Sequence, residues 1–214
     1  MQGFKELLEF YEKRGGKIKK RLLEFKRMMS ESNERIFAEL AFCICTPQTK
    51  AVSAWNSITT LINNGLLYKG SIEEIASFLK GVRFRKNKAK YIVDARKKFT
   101  VDGKIQIKEF LLSFVDPLEL REWLVKNVKG IGMKEASHFI RNMGLSDNQI
   151  AILDVHILKN LKEFGVIEKI PKSLTKKEYI KIEDKMKEFS KRIGIPIDEL
   201  DMLLWSKETG FVFK

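Results

Sequence analysis

Apolar side chains recur every three or four residues along most of the chain, which is the spacing of one face of an α-helix. The clearest stripe lies in residues 17–30 and consists of Ile18, Leu22, Phe25 and Met29. Residues 34–45 are apolar on nearly every side, so this segment is predicted to be a buried central helix. No segment alternates apolar and polar residues convincingly, as a β-strand would. The pattern therefore predicts an all-α fold.

Capping and turn residues predict where these helices begin and end. Gly15-Gly16 is expected to separate a first helix at about 4–14 from the helix at 17–30. Asn33 is placed to cap the central helix, and Thr46-Pro47 ends it, because the residue before proline avoids the helical region. Ser71, Asp116 and Thr175 are further predicted caps, and Asp102-Gly103 is a predicted turn. The other predicted helices lie at about 48–63, 71–79 and 82–99, from the Asp102-Gly103 turn to about 114, at about 155–164, from Thr175 through Ile193, and at about 197–208, with two more flanking residues 128–132.

The most informative stretch is 118–164. Gly130 and Gly132 lie between two helix-like runs, and Lys134 follows in the first turn of the second run, where the helix dipole disfavours a positive charge. Such a hairpin presents backbone N–H groups and a helix N-terminus together, which suits a DNA phosphate. Asp154, 20 residues later (154 − 134), is placed to cap the next helix. The stretch predicts an amine and a carboxylate carried on a DNA-phosphate clamp.

The charge balance indicates a polyanionic partner. The 214 residues include 41 Lys and Arg against 28 Asp and Glu, which leaves a net charge of +13. Nucleic acid is the favoured partner, and a basic surface facing acidic lipid is the alternative. No apolar run approaches the length of a membrane span, and the N-terminus lacks the apolar core of a signal peptide. We therefore expect a cytoplasmic protein that associates with nucleoid DNA and has no membrane partner.

Cofactor-free chemistry is the expectation from the cysteine and histidine content. Cys43 and Cys45, one residue apart, cannot form an ordinary disulfide, and no further cysteine is available for a zinc or iron–sulfur site. Both lie in the apolar central helix, so buried packing is their expected role. His138 and His156 have no partner set for binding a metal. We expect neither a metal nor a cofactor.

Two motifs make the chain resemble the helix-hairpin-helix DNA glycosylase superfamily. The first is V-K-G-I-G-M-K at 128–134, which is similar to the family's hairpin pattern L-P-G-V-G-x-K. The second is L-D-V-H at 153–156, which is similar to the V-D-x-H that follows in the family. Lys129 stands where the family usually has proline, a hairpin position that does not react. The resemblance implies that Lys134 is the nucleophile and Asp154 the essential acid.

In such enzymes a neutral amine attacks the sugar C1′ and displaces the damaged base, and the resulting imine leads to strand cutting by β-elimination. A carboxylate near C1′ stabilises the oxocarbenium charge and assists proton transfer. The alternatives are that Lys134 is a solvated surface lysine and that Asp154 is only a helix cap. Lys129 is the competing amine, but within the hairpin it is expected, with Gly130 and Gly132, to face a phosphate.

A further match lies upstream, where T-P-Q-T-K-A-V-S at 46–53 resembles the S-A-Q-x-x-x-V-S segment of the endonuclease III branch. In that branch the glutamine fills the gap that a flipped base leaves in the duplex. The resemblance implies this role for Gln48. The alternative is that Gln48 is an ordinary polar residue in the first turn of a helix.

The whole chain also resembles the short, or second, branch of the 8-oxoguanine DNA glycosylases. This resemblance rests on the segments R-F-R-K-N-K-A-K-Y-I at 83–92, V-K-G-I-G-M-K-E-A-S-H-F at 128–139 and L-W-S-K-E-T-G-F-V-F-K at 204–214. Members of this branch end with a lysine that takes part in recognising the lesion, and Lys214 stands at that place. The four-cysteine cluster of endonuclease III is missing.

This resemblance implies a monomeric enzyme that excises 8-oxoguanine from double-stranded DNA and cuts the strand. It also implies a helix-hairpin-helix glycosylase fold with two helical lobes and the active-site cleft between them. One lobe is expected at about 33–117, and the other at about 118–214 together with the N-terminal helices 1–32. A glycosylase for an oxidised pyrimidine and a non-catalytic DNA-binding module are the alternatives. A binding module has no use for Lys134 together with Asp154.

Basic and aromatic residues outside the hairpin complete the predicted site. The basic run 83–90 is either a solvated face or a contact with the DNA backbone, and Arg85 and Lys88 are its predicted contacts. Phe84 and Trp205 are predicted to contact the extruded base, because aromatic rings stack on unpaired bases. The alternative for Trp205 is a place in the core.

Overall fold

Residues 2–214 are described by a computed structural model, in which they form twelve α-helices. The helices are α1 (Gln2–Lys26), α2 (Asn33–Cys45), α3 (Ala51–Asn63), α4 (Leu66–Lys69), α5 (Ile72–Phe78), α6 (Arg85–Lys98), α7 (Ile107–Leu112), α8 (Pro117–Asn127), α9 (Met133–Asn142), α10 (Val155–Glu163), α11 (Lys176–Ile193) and α12 (Ile197–Thr209). A 3₁₀ turn, Arg27–Ser30, follows α1. The all-α prediction is confirmed. None of these helices is both long enough and apolar enough to cross a membrane.

One short β-hairpin departs from the helical pattern. Its strands, β1 (Thr100–Val101) and β2 (Lys104–Ile105), pair antiparallel. The predicted turn at Asp102-Gly103 joins them, with φ of +48° and +73° at its two residues. Two-residue strands are too short to show an alternating pattern, which is why the sequence did not predict them.

The first helix runs without a break through Gly15-Gly16, so its predicted division into two helices is wrong. Each glycine costs a helix interior about 1 kcal/mol relative to alanine, which tertiary contacts can outweigh. Such contacts are present on α1. Arg14 donates to the carbonyl oxygen of Gly210 at 2.9 Å, and Arg21 donates to that of Phe213 at 2.6 Å. Packing against the end of the chain therefore overrides the local preference.

Four of the twelve helices start at a predicted cap. Ser71, Asp116, Asp154 and Thr175 all accept backbone hydrogen bonds at helix starts. The cap of α2 is the exception, because Ser32 rather than Asn33 accepts the hydrogen bond, from the Arg35 N–H at 3.2 Å. Asn33 instead accepts from the Lys108 N–H at 2.7 Å and so ties α2 to α7.

Two hydrophobic clusters form the core, and they divide the chain between Ile150 and Ala151. The first cluster draws its buried residues from α2 through α9. The second combines α1 with the segments from Ala151 onward. We propose that the two clusters correspond to the two expected lobes. The boundary near residue 117 stays a prediction, since these clusters group α8 and α9 with the preceding helices.

Candidate active site

A cavity of about 890 Å³ is lined by residues that pack against both hydrophobic clusters. Its wall draws on α9, the start of α10, α12, the loop after α2 and the last residues of the chain. Five predicted site residues line it: Gln48, Lys134, Asp154, Trp205 and Lys214. Residues that are far apart in sequence thus meet in one concave site, as a substrate-binding cleft requires.

The hairpin between α8 and α9 has a conformation that explains its glycines. Gly130 has φ +83°, and a Cβ atom there would lie 2.5 Å from the Tyr91 ring, so only glycine fits. Gly132 is the N-cap of α9. Lys129 is exposed on the same turn, with Nζ 3.9 Å from Asp94 Oδ2. Lys129 and Gly130 lie on the surface outside the cavity wall, and their contact with DNA stays a prediction.

Lys134 lies in the first turn of α9, as predicted, and lines the cavity. Its side chain is 25% exposed, and Nζ lies 3.4 Å from Oε1 of Glu135. The other oxygen of Glu135, Oε2, accepts a hydrogen bond from the Gly132 N–H at 3.2 Å. The candidate nucleophile is therefore linked to the hairpin through Glu135.

Asp154 caps α10, as predicted, and also lines the cavity. Its Oδ1 accepts hydrogen bonds from the N–H groups of His156 and Ile157, each at 2.9 Å. Among residues 2–214, Oδ2 of Asp154 has no hydrogen-bond donor. A carboxylate held by backbone N–H groups, with one oxygen left over, can stabilise positive charge in the cavity.

Asp201 is a second carboxylate in the cavity wall and was not predicted from the sequence. It is 5% exposed, and its one ion pair in the described part of the chain is with Arg141, whose NH1 lies 3.4 Å from Oδ2. Burial raises the pKa of Asp201 to about 7, and Arg141 opposes this shift. Trp205 follows one turn later on α12 and lines the same cavity. The sequence signal for Asp201 was its position four residues (205 − 201) before Trp205, because residues four apart lie on the same face of a helix.

Lys214 ends in a buried charge network at the cavity wall. Its Nζ donates to Oε1 and Oε2 of Glu39 at 2.9 and 2.6 Å, and lies 3.2 Å from the centroid of the Trp55 ring. Burial lowers the pKa of Lys214 to about 8, while the Glu39 carboxylate acts in the opposite direction. Glu39 also accepts a hydrogen bond from Asn142 at 2.8 Å. Glu39 was not predicted from the sequence, where its signal was that it is the one acid in the apolar run 36–45.

His138 lies one turn after Lys134 and lines the cavity. Neither of its ring nitrogens has a hydrogen-bond partner within residues 2–214, and its ring packs edge-on against Phe42 at 5.5 Å between centroids. Burial, with help from Arg141 and Lys134, lowers the pKa of His138 well below its usual value. The imidazole is therefore neutral, and its ring packs within the buried wall of the cavity.

The loop between α2 and α3 places Gln48 at the cavity, exposed and with φ +54°. Because α3 begins at Ala51, Gln48 precedes that helix rather than lying in its first turn. Lys88 supports this loop from inside: it is 4% exposed, and Nζ donates to the carbonyl oxygens of Cys45 at 2.8 Å and Pro47 at 2.6 Å. The predicted DNA contact by Lys88 is therefore corrected, because its ammonium group is buried and hydrogen-bonded to the protein.

Phe84 and Arg85 lie outside the cavity wall. The Phe84 ring is 55% exposed, with the Arg83 guanidinium 5.0 Å from its centroid. The Arg83 N–H donates to Thr49 Oγ1 at 3.1 Å, so this exposed ring lies next to the Gln48 loop. Contact between Phe84 and a base held inside the cavity does not follow from this position and stays a prediction. Arg85, exposed at the start of α6, stays a predicted contact with the DNA backbone.

Comparison with known sequences identifies relatives of this chain. The family model described as 8-oxoguanine DNA glycosylase matches residues 18–195. A protein of Fusobacterium nucleatum named 8-oxoguanine DNA glycosylase/AP lyase is 48% identical over 212 residues, which cover 99% of this chain and 97% of that protein. A protein of the same name from Methanocaldococcus jannaschii is 41% identical over 199 residues, which cover 92% of this chain and 91% of the relative.

Solved structures agree with this fold along the whole chain. The Methanocaldococcus jannaschii 8-oxoguanine glycosylase/lyase, in complex with a 15mer DNA containing 8-oxoguanine, superposes with a TM-score of 0.90 at 36% identity. That match covers 100% of both chains. The 8-oxoguanine DNA glycosylase of Thermotoga maritima gives a TM-score of 0.87 at 35% identity and covers 100% of this chain and 99% of that one.

Proposed function

The chain belongs to the 8-oxoguanine DNA glycosylase family, and on that premise we propose how its residues divide the reaction among them. It is a DNA glycosylase with AP lyase activity, which removes 8-oxoguanine from duplex DNA and cuts the strand at the site left behind. The observation that carries the assignment of roles is the single cavity that holds Lys134 and Asp154 together with Asp201 and Trp205.

Lys134 acts as the nucleophile. Its neutral amine attacks C1′ of the damaged nucleotide, and the bond from C1′ to the base breaks with its electron pair leaving on the base. The imine that forms acidifies the C2′ proton, and loss of that proton with the 3′ phosphate cuts the strand. The place of Lys134 in the first turn of α9, directly after the hairpin, supports this role. A phosphate held by the hairpin brings the sugar to the amine.

Asp154 stabilises the positive charge that develops on the sugar as the base departs. One of its oxygens is held by two N–H groups of α10, which orients the carboxylate toward the cavity. A group oriented in this way costs little reorganisation during the reaction, which is the main source of electrostatic catalysis. Asp154 can therefore cap α10 and also act in catalysis.

Asp201 and Trp205 bind the extruded base. Trp205 offers an aromatic face for stacking, and Asp201 offers a carboxylate whose one ion pair in the described residues is with Arg141. The Watson–Crick edge of 8-oxoguanine carries two adjacent donors, N1–H and the 2-amino group, that match the two oxygens of a carboxylate. Lys214, at the place of the family's lesion-recognising lysine, lines the same cavity.

The duplex lies across the hairpin and the Gln48 loop. Lys129, Gly130 and Gly132 contact phosphate, Arg85 contacts the backbone farther along, and Gln48 enters the gap left by the base. The exposure of Lys129, Arg85 and Gln48 supports this arrangement. The enzyme acts as a monomer in the cytoplasm, on nucleoid DNA. A DNA-binding module without chemistry, or a glycosylase for an oxidised pyrimidine, would not account for both the cavity and the family.

Trapping with borohydride tests these roles. The substrate is a duplex with one 8-oxoguanine opposite cytosine, and wild type is compared with Lys134→Gln and with Lys129→Gln as the matched control. We expect a covalent protein–DNA adduct and strand cutting in wild type and Lys129→Gln, and neither in Lys134→Gln, although Lys134→Gln still binds the duplex. Strand cutting by Lys134→Gln would contradict the assignment of the nucleophile.

A further inference from the structure

Glu135 is the carboxylate that lies against the Lys134 amine. Its Oε1 is 3.4 Å from Nζ, whereas no ion pair joins Lys134 to Asp154 in the described part of the chain. Adjacent residues on a helix normally point apart, so this contact needs an explanation. It arises because Oε2 of Glu135 turns back to accept the Gly132 N–H at 3.2 Å. The hairpin therefore holds a carboxylate beside the nucleophile.

A lysine side chain carries a proton at neutral pH and attacks C1′ only after losing it. We propose that Glu135 accepts this proton from Lys134, which makes Glu135 a further catalytic residue. The inference rests on the proposed role of Lys134 as the nucleophile. It assigns a different step to each carboxylate, because Glu135 activates the amine and Asp154 stabilises the charge on the sugar.

The protons balance through the formation of the imine. Glu135 takes one proton from the Lys134 ammonium, and the nitrogen lone pair then forms the bond to C1′ as the bond to the base breaks. The departing base carries the bond pair and takes a second proton from the new C1′ ammonium. Glu135 returns its proton to O4′ as the sugar ring opens and the C1′–nitrogen double bond forms. The third proton stays on the iminium nitrogen, and Glu135 ends as a carboxylate.

Other charged and titratable groups also face this pair from the surrounding elements. They are Cys43 on α2, Lys88 on α6, His138 on α9, Asp154 at the start of α10 and Asp201 on α12. Cys43 and His138 are buried and neutral, since burial raises the pKa of the thiol and lowers that of the imidazole. The Lys88 ammonium group donates hydrogen bonds to backbone carbonyl oxygens at the Gln48 loop. None of these five groups forms an ion pair with Lys134 in the described residues, whereas Glu135 does.

The variant Glu135→Gln separates the proton transfer from the structural role. Glutamine also serves at this capping position, so its side-chain oxygen can still accept the Gly132 N–H. It cannot take a proton from the amine. A matched control exists at Glu74, whose Oε2 likewise accepts the N–H of the N-cap residue, Ser71, at 2.7 Å at the exposed start of α5. Glu74→Gln makes the identical change outside the cavity wall.

The measurement is the single-turnover rate of adduct formation and strand cutting, from acid to alkaline pH, on the 8-oxoguanine duplex. For Glu135→Gln we expect a loss of at least about tenfold near neutral pH, and a rate that keeps rising with pH as solvent replaces the missing base. Wild type and Glu74→Gln should share one profile, and binding of the duplex should be the same in all three proteins. A wild-type profile for Glu135→Gln would overturn the inference.

Chemical rescue distinguishes proton transfer from a structural role of Glu135, because an added carboxylate can replace a proton acceptor but not a helix cap. Glu135→Ala leaves space beside Lys134, and added formate can supply a carboxylate there. We expect formate to raise the rate of Glu135→Ala and not that of Glu135→Gln, where the amide fills the space. Absence of rescue in a folded Glu135→Ala protein counts against proton transfer. Activity in Lys134→Gln would instead overturn the nucleophile assignment, so the two failures are distinguishable.

Discussion

Two regions meet at the cavity, and their residues are held in different ways. The reaction region comprises the starts of α9 and α10, where Lys134, Glu135 and Asp154 lie. The hydrogen bonds that shape it link residues two or three positions apart. The base region comprises α12, residues 210–214 and Glu39 of α2. There Lys214 pairs with Glu39, 175 positions away in sequence.

This difference separates chemistry from recognition. The reaction region is built from local motifs, a glycine hairpin and a helix cap, that form whenever their own helices form. The base region exists only when α1, α2 and α12 are packed together, since Arg21 holds the backbone of Phe213 while Glu39 holds Lys214. We therefore expect changes in the reaction region to affect rate with little loss of stability, and changes in the base region to affect stability as well.

The largest effect is expected from Asp154→Asn in the reaction region. Asparagine caps helices as well as aspartate does, so the stability of the protein should stay close to that of wild type. The rate of base removal should fall by about 100- to 1000-fold, because the charge that stabilises the sugar cation is lost. Asp116→Asn is the matched control, since Asp116 caps α8 by accepting the Leu118 N–H at 2.8 Å. Equal rates for the two variants would remove Asp154 from the mechanism.

Glu39→Gln tests the base region, where we expect a loss of stability. Removing one partner of a buried ion pair leaves the Lys214 ammonium uncompensated, which we expect to cost about 3 kcal/mol of unfolding free energy. Urea denaturation measures this loss, and the exposed pair of Lys176 with Glu122 provides the control, because Glu122→Gln should change stability by about 0.5 kcal/mol or less. If Glu39→Gln were as stable as wild type, the distinction between the two regions would fail.

The same distinction explains what the sequence could predict. The hairpin, the place of Lys134 and the cap at Asp154 followed from spacing alone, because each is a local feature. The break at Gly15-Gly16 was wrong because distant residues hold α1 together. Lys88 looked like a DNA contact within a basic run, and only the fold shows that it lies beneath the Gln48 loop.

Residues of the base region were missed for a related reason. Neither Asp201 nor Glu39 belongs to a motif with a fixed spacing to the other site residues. Each became recognisable only as a buried carboxylate, once the fold had brought it to the cavity or to Lys214. Burial of a charged group is a tertiary property that periodicity along the chain does not record.

Asp201→Asn tests recognition of the base directly. The asparagine amide accepts one hydrogen bond where the carboxylate accepts two, so we expect removal of 8-oxoguanine to slow by roughly 10- to 100-fold, the size of a bidentate contact. Strand cutting at a preformed abasic site, which has no base to bind, should remain near the wild-type rate. A duplex carrying 8-oxohypoxanthine, which lacks the 2-amino group, should reduce the gap between variant and wild type. An equal loss on the abasic substrate would indicate a structural role for Asp201 instead.

A last expected effect, on stability and not on rate, is a dependence of the unfolding free energy on pH that Asp201 introduces. Burial raises the pKa of this carboxyl from its ordinary 3.8 to about 7, so between these values the folded protein binds a proton that the unfolded chain releases. The contribution of Asp201 to stability is therefore full below pH 4 and is lost as the pH rises through about 7. Urea denaturation of wild type and Asp201→Asn across this range should show wild type losing stability relative to the variant as the pH rises. A constant difference would mean that Asp201 is ionised in the folded protein across this range because of its ion pair with Arg141. Ionisation of Asp201 would then not lower the stability of the folded protein.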